Sequence, residues 1–342
     1  MTVLARTVHE ADQIEVYPDQ APSRQSSWGF TFLKIALSAL AIGLVLHTVD
    51  LSAAWGRMAG QDVWYLLAAV FVLLLQICAG GLRWHVILKR LHPPARVLTS
   101  LQLFYIAVFF NTCLWGAVGD VVRGGLSYRG KVPARTSLNS IVLDRVAALA
   151  GVAFLVLVTA PYCFVRFDNT TVALVPAALA AACLVGIVVV AQFERLPQSW
   201  QHLRLMRLVQ SLGEATRTIF LRPAAAIPTL LIAIAAQILM ALTVYLLAQS
   251  LAISLSMIDC LVLMQPVALL TSLPISIGGW GVREAAIIKI LGLVGVPSSA
   301  ALALSVELGL LAMVVSTPGL IFWFVLKPKH STKVASVIPL KS

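Results

Sequence analysis

The sequence predicts an all-α, polytopic integral membrane protein with six full spans and two re-entrant hairpins. Three observations lead to this fold class: the composition, a series of long uncharged runs, and the distribution of basic residues between those runs. Hydrophobic residues make up 60% of the 342 residues, charged residues make up 11%, and the mean hydropathy is +0.93. A soluble fold with this composition would carry a largely apolar surface, which only lipid solvates well. We therefore expect most of the chain to lie in a bilayer.

Eight hydrophobic segments follow one another along the chain. A helix of about 20 residues crosses a hydrocarbon core of roughly 30 Å. Runs that approach or exceed this length cover residues 30–48, 63–81, 137–160, 171–192, 227–250 and 299–325. Two further apolar runs, at 97–115 and 257–273, are each followed by a glycine-rich stretch. The first six are the predicted full spans, and the last two are the predicted re-entrant segments.

The basic residues decide between two topologies. Segments 83–96, 116–136, 193–223 and 327–342 together hold 17 of the 25 Lys and Arg residues. The positive-inside rule places such segments in the cytoplasm. If all eight segments cross, 116–136 and 193–223 fall outside, with nine basic residues between them. If 97–115 and 257–273 enter the membrane and turn back, both segments return to the inside and both chain termini are cytoplasmic. We favour the second topology and keep eight spans as the alternative.

The domain organisation follows from the same pattern. Residues 1–29 contain four acidic residues before the first apolar run, which predicts a disordered cytoplasmic tail rather than a cleaved signal peptide. Residues 30–327 form one predicted transmembrane domain, and 328–342 form a basic cytoplasmic tail. The net charge of +11 is explained by topology, so no nucleic-acid partner is expected. The five scattered cysteines show no metal-ligand or disulfide spacing, and no cofactor is expected.

An internal repeat supports the hairpin topology. Around the first hairpin the chain reads G-A-V-G-D-V-V-R, ending at Arg123, and around the second it reads I-G-G-W-G-V-R-E, with Arg283 at the matching position. Pro133 and Pro297 follow the two motifs just before the next spans. With hairpins, the halves (about 97–192 and 257–327) run in opposite directions, as in transporters with inverted repeats. The predicted re-entrant turns use Gly116, Gly119, Gly278, Gly279 and Gly281.

Charged residues inside apolar segments are the candidate functional residues, because each costs at least about 2.5–3.5 kcal/mol at mid-membrane. The candidates are Asp120, Arg123, Asp144, Arg145, Arg283, Glu284 and Glu307. One interpretation is a substrate site in a hydrated cavity. The alternative is that Asp144, Arg145 and Glu307 pair with the hairpin arginines only to hold the fold together. For Asp259, near a segment end, a structural role is favoured. Residues 193–223 also predict an amphipathic surface helix, which either contacts lipid headgroups or only connects two spans.

Three stretches together resemble a known family. They are F-F-N-T-C-L-W-G-A-V-G-D-V-V-R-G at 109–124, V-L-D-R at 142–145, and P-I-S-I-G-G-W-G-V-R-E at 274–284. They resemble the transmembrane region of lysylphosphatidylglycerol synthase/flippase proteins, over about residues 30–327. In the bifunctional members a flippase domain precedes a soluble lysyltransferase domain. Here only a short tail follows the last span, so we expect the lipid-translocating half without the transferase.

The resemblance implies translocation of an anionic lipid across the bacterial inner membrane. Arg123 and Arg283 would bind the lipid phosphate, while Asn111 and the carboxylates complete the predicted substrate site. Lipid-synthesis enzymes in the membrane are possible partners. The rival hypothesis is a membrane-embedded enzyme or accessory factor of lipid synthesis, for lysylphosphatidylglycerol, hopanoid or prenyl-phosphate lipids. A third, a purely structural partner of another membrane protein, predicts no charged interior.

Overall fold

Helices account for the regular structure in the part of the chain described by the computed structural model, which covers residues 56–113, 118–166, 170–192, 204–272 and 281–326. In chain order the helices are α1 (Val63–Leu91), α2 (Val97–Cys113), α3 (Val118–Arg129), α4 (Ala134–Arg166), α5 (Thr170–Gln192), α6 (Arg204–Phe220), α7 (Pro223–Ser250), α8 (Met257–Ser272), α9 (Val282–Gly292), α10 (Ser298–Ser316) and α11 (Pro318–Leu326). No strand occurs within these ranges. The predicted all-α class is confirmed.

Four helical stretches in the described ranges are long and apolar enough to cross a membrane: Val63–Leu91, Ala134–Val165, Pro223–Ser250 and Ser298–Leu326. They coincide with four of the predicted spans, so the protein is a multi-pass membrane protein. The apolar stretches Val97–Cys113, Pro176–Gln192 and Met257–Thr271 are shorter. The predicted span 30–48 and both predicted tails, 1–29 and 328–342, lie outside the described residues.

A central core forms where α1, α7, α8, α9 and α10 pack together. Its buried members are apolar side chains from all five helices, such as Leu73, Leu247, Leu263, Ile287 and Leu304. The most extensive pairing joins α1 to α7, and α4 packs against α1, α5, α7 and α8. Because lipid is as apolar as these side chains, close packing rather than water exclusion holds such helices together.

The two predicted re-entrant segments both form short helix pairs. The 17-residue α2 packs against the 12-residue α3, and the 16-residue α8 packs against the 11-residue α9. None of these four helices reaches the roughly 20 residues that a full span needs. The predicted turn residues Gly116, Gly278 and Gly279 lie outside the described residues.

The approach of α3 to α2 is set by Gly119. A Cβ atom at this position would lie 1.9 Å from the carbonyl oxygen of Ala107 on α2. The Gly119 amide also donates a hydrogen bond of 2.9 Å to the side-chain oxygen of Asn111. Both contacts require a residue without a side chain at this point of the hairpin.

The same turn follows α3 and α9. Lys131 has φ of +69° and Gly295 has φ of +79°. In each turn the amide one residue later bonds five residues back, from Val132 to the Ser127 carbonyl at 3.1 Å and from Val296 to the Leu291 carbonyl at 3.2 Å. This is the Schellman pattern of helix C-termini. The turn after α7 has the same form, with φ of +52° at Ala252 and a bond of 2.8 Å from the Ile253 amide to the Ala248 carbonyl, so this ending is not specific to the two matched segments.

The predicted amphipathic segment contains α6, which covers residues 204–220. Ala215 and Ile219 on one face pack against Ile87 of α1 and Leu143 and Ala147 of α4. On the opposite face, Glu214, Arg217, Thr218, Leu221 and Arg222 line a shallow surface depression. The helix therefore lies on the bundle and keeps a polar face uncovered.

Candidate functional site

Five charged side chains from three helices form a continuous chain of ion pairs, which we call the charged cluster. Arg83 comes from α1, Asp120 and Arg123 from α3, and Asp144 and Arg145 from α4. In order of contact they run Arg83, Asp144, Arg123, Asp120, Arg145, with N to O distances between 2.6 and 3.2 Å. Three arginines and two aspartates leave one net positive charge. A polytopic membrane protein thus holds an excess cation in its helical bundle.

Asp144 is the centre of the buried half of the charged cluster. Its Oδ1 accepts a hydrogen bond of 2.9 Å from Arg83 Nε, and its Oδ2 accepts one of 3.2 Å from Arg123 Nη1. Asp144 is 2% exposed and Arg123 is 1% exposed. The pairing of Asp144 with Arg123 is the geometry that the fold-stabilising interpretation predicts.

Arg123 is also enclosed by aromatic rings. Its guanidinium carbon lies 4.6 Å from the ring centroid of Trp84 and 5.3 Å from that of Phe104. Its Nη2 donates to Asp120 at 2.9 Å, whereas its buried Nε has no hydrogen-bond partner in the described part of the chain. In this conformation Arg123 is inaccessible to a lipid headgroup.

Arg145 is the accessible end of the charged cluster. Its side chain is 55% exposed, and Asp120 Oδ2 accepts from its Nε at 2.9 Å and from its Nη2 at 2.6 Å. These bonds fix the plane of the guanidinium and leave both Nη1 donors without an acceptor among the described residues. Leu138, two turns earlier on the same face of α4, is also exposed. Arg145 thus presents free donors on a partly apolar surface.

Arg83 was not among the predicted site residues. The sequence predicts that the span ends at Gly81 and that Arg83 belongs to a basic cytoplasmic segment. In the structure α1 continues to Leu91, and Arg83 is buried at 6% exposure. The signal that could have identified it is its position two residues after Gly80-Gly81, where the absence of side chains admits Phe104 and Leu101 of α2.

A second group of polar contacts surrounds Glu284 at the start of α9. Its Oε2 accepts from the Gly281 amide, and its Oε1 accepts from Arg283 at 2.7 Å and from Ser305 of α10 at 3.3 Å. Gly281 has φ of +84°, so the backbone turns directly before the helix. Of the two predicted arginines, Arg123 pairs with carboxylates of its own and another helix, while Arg283 pairs with its neighbour in sequence.

Glu307 differs from the other predicted carboxylates. It lies on α10 at 5% exposure, and neither carboxylate oxygen has a hydrogen-bond partner in the described ranges. Asp259 accepts hydrogen bonds from Ser256 at 2.6 Å and from Tyr162 at 3.3 Å near the start of α8. Its contacts are those of a helix terminus, in line with the structural role favoured for it.

The fold and the charged cluster define the class: a multi-pass helical membrane protein with ion-paired charges inside its bundle. Comparison with protein families then gives a match to the lysylphosphatidylglycerol synthase TM region over residues 31–319. The chain belongs to this family, which confirms the predicted resemblance. No curated protein and no solved structure matches the chain significantly. No group of three or more His, Cys, Asp or Glu residues suited to a metal occurs in the described ranges.

Proposed function

We propose that this protein translocates an anionic lipid across the cell inner membrane, with Arg145 as the first protein group to contact the lipid phosphate. The observation that carries the proposal is the net positive charged cluster, which is buried at Asp144 and open at Arg145. A lipid phosphate would accept hydrogen bonds from the free Nη1 donors of Arg145 while its acyl chains contact the apolar surface around Leu138. Charge-assisted hydrogen bonds of this kind contribute about 1.5–3 kcal/mol.

The buried part of the charged cluster supports this role of Arg145. Asp120 neutralises Arg145 only in part, because Asp120 also pairs with Arg123. Arg123, which binds Asp120, is itself held by Asp144 and by the rings of Trp84 and Phe104. Arg145 is therefore oriented by a rigid support, as a binding group should be.

In the proposal, the second half of the chain carries a helix pair equivalent to α2–α3. The α8–α9 pair would face the opposite leaflet as the inverted repeat of α2–α3, with Arg283 in the position of Arg123. The similar sequences at 116–123 and 277–284, and the packing of α2 on α3 and of α8 on α9, support this relation. Both termini would then be cytoplasmic, and Arg283 would meet the lipid later in its passage.

The test uses purified protein in liposomes that contain a trace of fluorescent phosphatidylglycerol. Wild-type protein should expose inner-leaflet label to an impermeant quencher faster than protein-free liposomes. Arg145→Gln should slow this rate about tenfold or more, the equivalent of losing one charge-assisted bond. Arg129→Gln is the matched control, since Arg129 is an exposed arginine at the end of α3 outside the charged cluster. Equal rates for wild-type protein and empty liposomes would overturn the proposal, and an unaffected Arg145→Gln would remove Arg145 from it.

The same preparation separates transport from a synthetic role. Supplied with lysyl-tRNA and phosphatidylglycerol, the protein should form no lysylphosphatidylglycerol, as measured by thin-layer chromatography of labelled lipid. Product formation that depends on the protein would instead show that the membrane region is catalytic.

A further inference from the structure

The buried carboxylate of Glu307 is unexplained by the charged cluster and by the Glu284 contacts. On its own face of α10 it is flanked by Ala303, Leu304 and Leu311, one turn away in each direction and all buried. Both oxygens are enclosed, and none of the described residues donates a hydrogen bond to them. The described surroundings of the carboxylate therefore provide neither a hydrogen-bond donor nor an ion-pair partner.

The helices packed against α10 are α1, α2, α7, α9 and α11. Their charged side chains are Arg83, Lys89 and Arg90 on α1 and Arg283, Glu284 and Lys289 on α9. The groups on these helices that titrate from neutral forms are Tyr65, Cys78 and His85 on α1, Tyr105 and Cys113 on α2, and Tyr245 on α7, and His85 bonds to Ser100. Arg83 is bound to Asp144, and Arg283 is bound to Glu284. None of these groups hydrogen-bonds to Glu307.

An ionised carboxylate in this setting would be far more costly than a protonated one. Burial of an isolated charge costs many kcal/mol, whereas a neutral polar group without a partner costs about 1–3 kcal/mol. The neutral form is therefore the one compatible with the geometry. Glu284 shows the contrast on the neighbouring helix, where an amide, an arginine and a hydroxyl surround the carboxylate.

We propose that Glu307 is a proton-binding site, occupied in this conformation and emptied only in a second conformation in which the carboxylate meets water or a cation. Because each conformation prefers one protonation state, proton binding shifts the balance between them. The link to lipid movement rests on the proposed function: one step of the transport cycle would require Glu307 to take up or release its proton. The proton site itself rests on the geometry of Glu307 alone.

The first test is chemical. Dicyclohexylcarbodiimide is apolar and reacts with protonated carboxyl groups, so mass spectrometry of treated, detergent-purified protein should find an adduct on Glu307 at neutral pH. Asp144 and Glu284, each bound to arginine, should remain unmodified. The adduct should persist in Glu214→Gln, which removes an exposed carboxylate of α6. A folded wild-type protein with no adduct on Glu307, or with equal modification of Asp144, would overturn the proton site.

The second test uses Glu307→Gln, a neutral isostere of the protonated side chain. Its thermal unfolding temperature in detergent should match that of wild-type protein at neutral pH, because no ionic partner is lost. A large decrease would show that Glu307 is ionised and paired, and would overturn the proposal.

The coupling is tested by lipid movement as a function of pH in the liposome assay. The wild-type rate should vary with pH, and Glu307→Gln should lose this variation, whereas Glu214→Gln should keep it. An unchanged pH profile in Glu307→Gln would overturn the coupling. Absence of any lipid movement by wild-type protein would overturn the proposed function, while the carbodiimide result would still decide the proton site.

Discussion

Asp144 is the residue on which the buried part of the charged cluster depends, since it accepts from two arginines on two different helices. Each of the two carboxylates in the charged cluster is bound to two arginines. Removal of Arg123 therefore leaves Asp144 paired with Arg83 and Asp120 paired with Arg145. Removal of Asp144 leaves Arg83 buried without its counterion. The carboxylate, rather than the central arginine, is the sensitive position for folding.

We therefore expect an order of destabilisation in which Asp144→Asn costs most, Arg123→Gln costs less and Arg145→Gln costs least. Asp144→Asn should cost about 3–5 kcal/mol, the typical effect of leaving a buried charge unpaired. Arg145 is half-exposed, so its ion pair is screened and contributes little to stability. Thermal unfolding in detergent checks the order. A greater loss in Arg145→Gln than in Asp144→Asn would contradict it.

Most of the members of the charged cluster could be predicted from the sequence, because a charge in an apolar segment stands out. Asp120, Arg123, Asp144 and Arg145 were all found in this way. Arg83 was missed because it stands at the basic end of an apolar run, where a cytoplasmic position is the ordinary interpretation. Only the packing of α2 against Gly80 and Gly81 shows that this end of α1 is buried. The sequence also does not show which charged side chains pair with each other. Only the structure shows that the Glu307 carboxylate has no hydrogen-bond partner among the described residues.

At the scale of elements, the hairpin of α2 and α3 carries Asp120 and Arg123 to the charged cluster, and Gly119 allows the two helices to touch. We expect Gly119→Ala to destabilise the protein by at least about 1–3 kcal/mol, as overpacking does, because the clash is with backbone that cannot rotate away. Gly125→Ala, in the same helix, meets nothing within 4 Å and should stabilise by about 0.5–1 kcal/mol. Unfolding temperatures and membrane yields of the two variants provide the measurement. Similar behaviour of both would show that the close approach is not required.

The turns after α3 and α9 make a second element-scale prediction. Lys131 adopts a left-handed backbone conformation that costs a non-glycine residue about 1–2 kcal/mol. Lys131→Gly should therefore raise the free energy of unfolding by about 1 kcal/mol. Gly295→Ala should lower it by a similar amount, because Gly295 has the same left-handed backbone. An added Cβ there meets no atom within 4 Å, so no steric clash adds to this cost. Lys131→Ala is the control, because it removes the same charge without relieving the backbone. Stabilisation by Lys131→Ala equal to that by Lys131→Gly would assign the effect to charge.

The existence of the helices was more predictable than their limits. The apolar runs at 97–115 and 257–273 located α2 and α8, because lipid-facing helices need uniform hydrophobicity, whereas the polar helix α3 has no such run. The predicted end of the first described span at Gly81 was ten residues too early, since the helix continues to Leu91. Glycine pairs usually weaken helices in water, but here they make room for a packed neighbour. The sequence alone does not distinguish these two uses of glycine.

At the scale of the whole molecule, the charged cluster, the hairpins and the basic segments all depend on how the chain is threaded through the membrane. The 33-residue helix α4 is the best reporter of threading, because it is about 50 Å long and exposes residues beyond both ends of its apolar stretch. Tyr128, near the end of α3 and six residues before α4 begins, is 63% exposed, and Val165 at the far end of α4 is 90% exposed. Leu221, which follows α6, is also exposed.

Single cysteines at Tyr128, Val165 and Leu221, in a background without the five native cysteines, therefore test the topology in intact cells. With hairpins at α2 and α8, Tyr128→Cys and Leu221→Cys face the cytoplasm and should be protected from an impermeant maleimide, whereas Val165→Cys should react. The eight-span alternative predicts the opposite at all three positions. Permeabilised cells are the control, because all three cysteines should then react if exposure alone limits labelling. Reaction of Tyr128→Cys and Leu221→Cys from outside, together with protection of Val165→Cys, would support the eight-span topology and contradict the hairpins. The inverted repeat, and with it the proposed meeting of Arg283 with the lipid in the opposite leaflet, would then be lost.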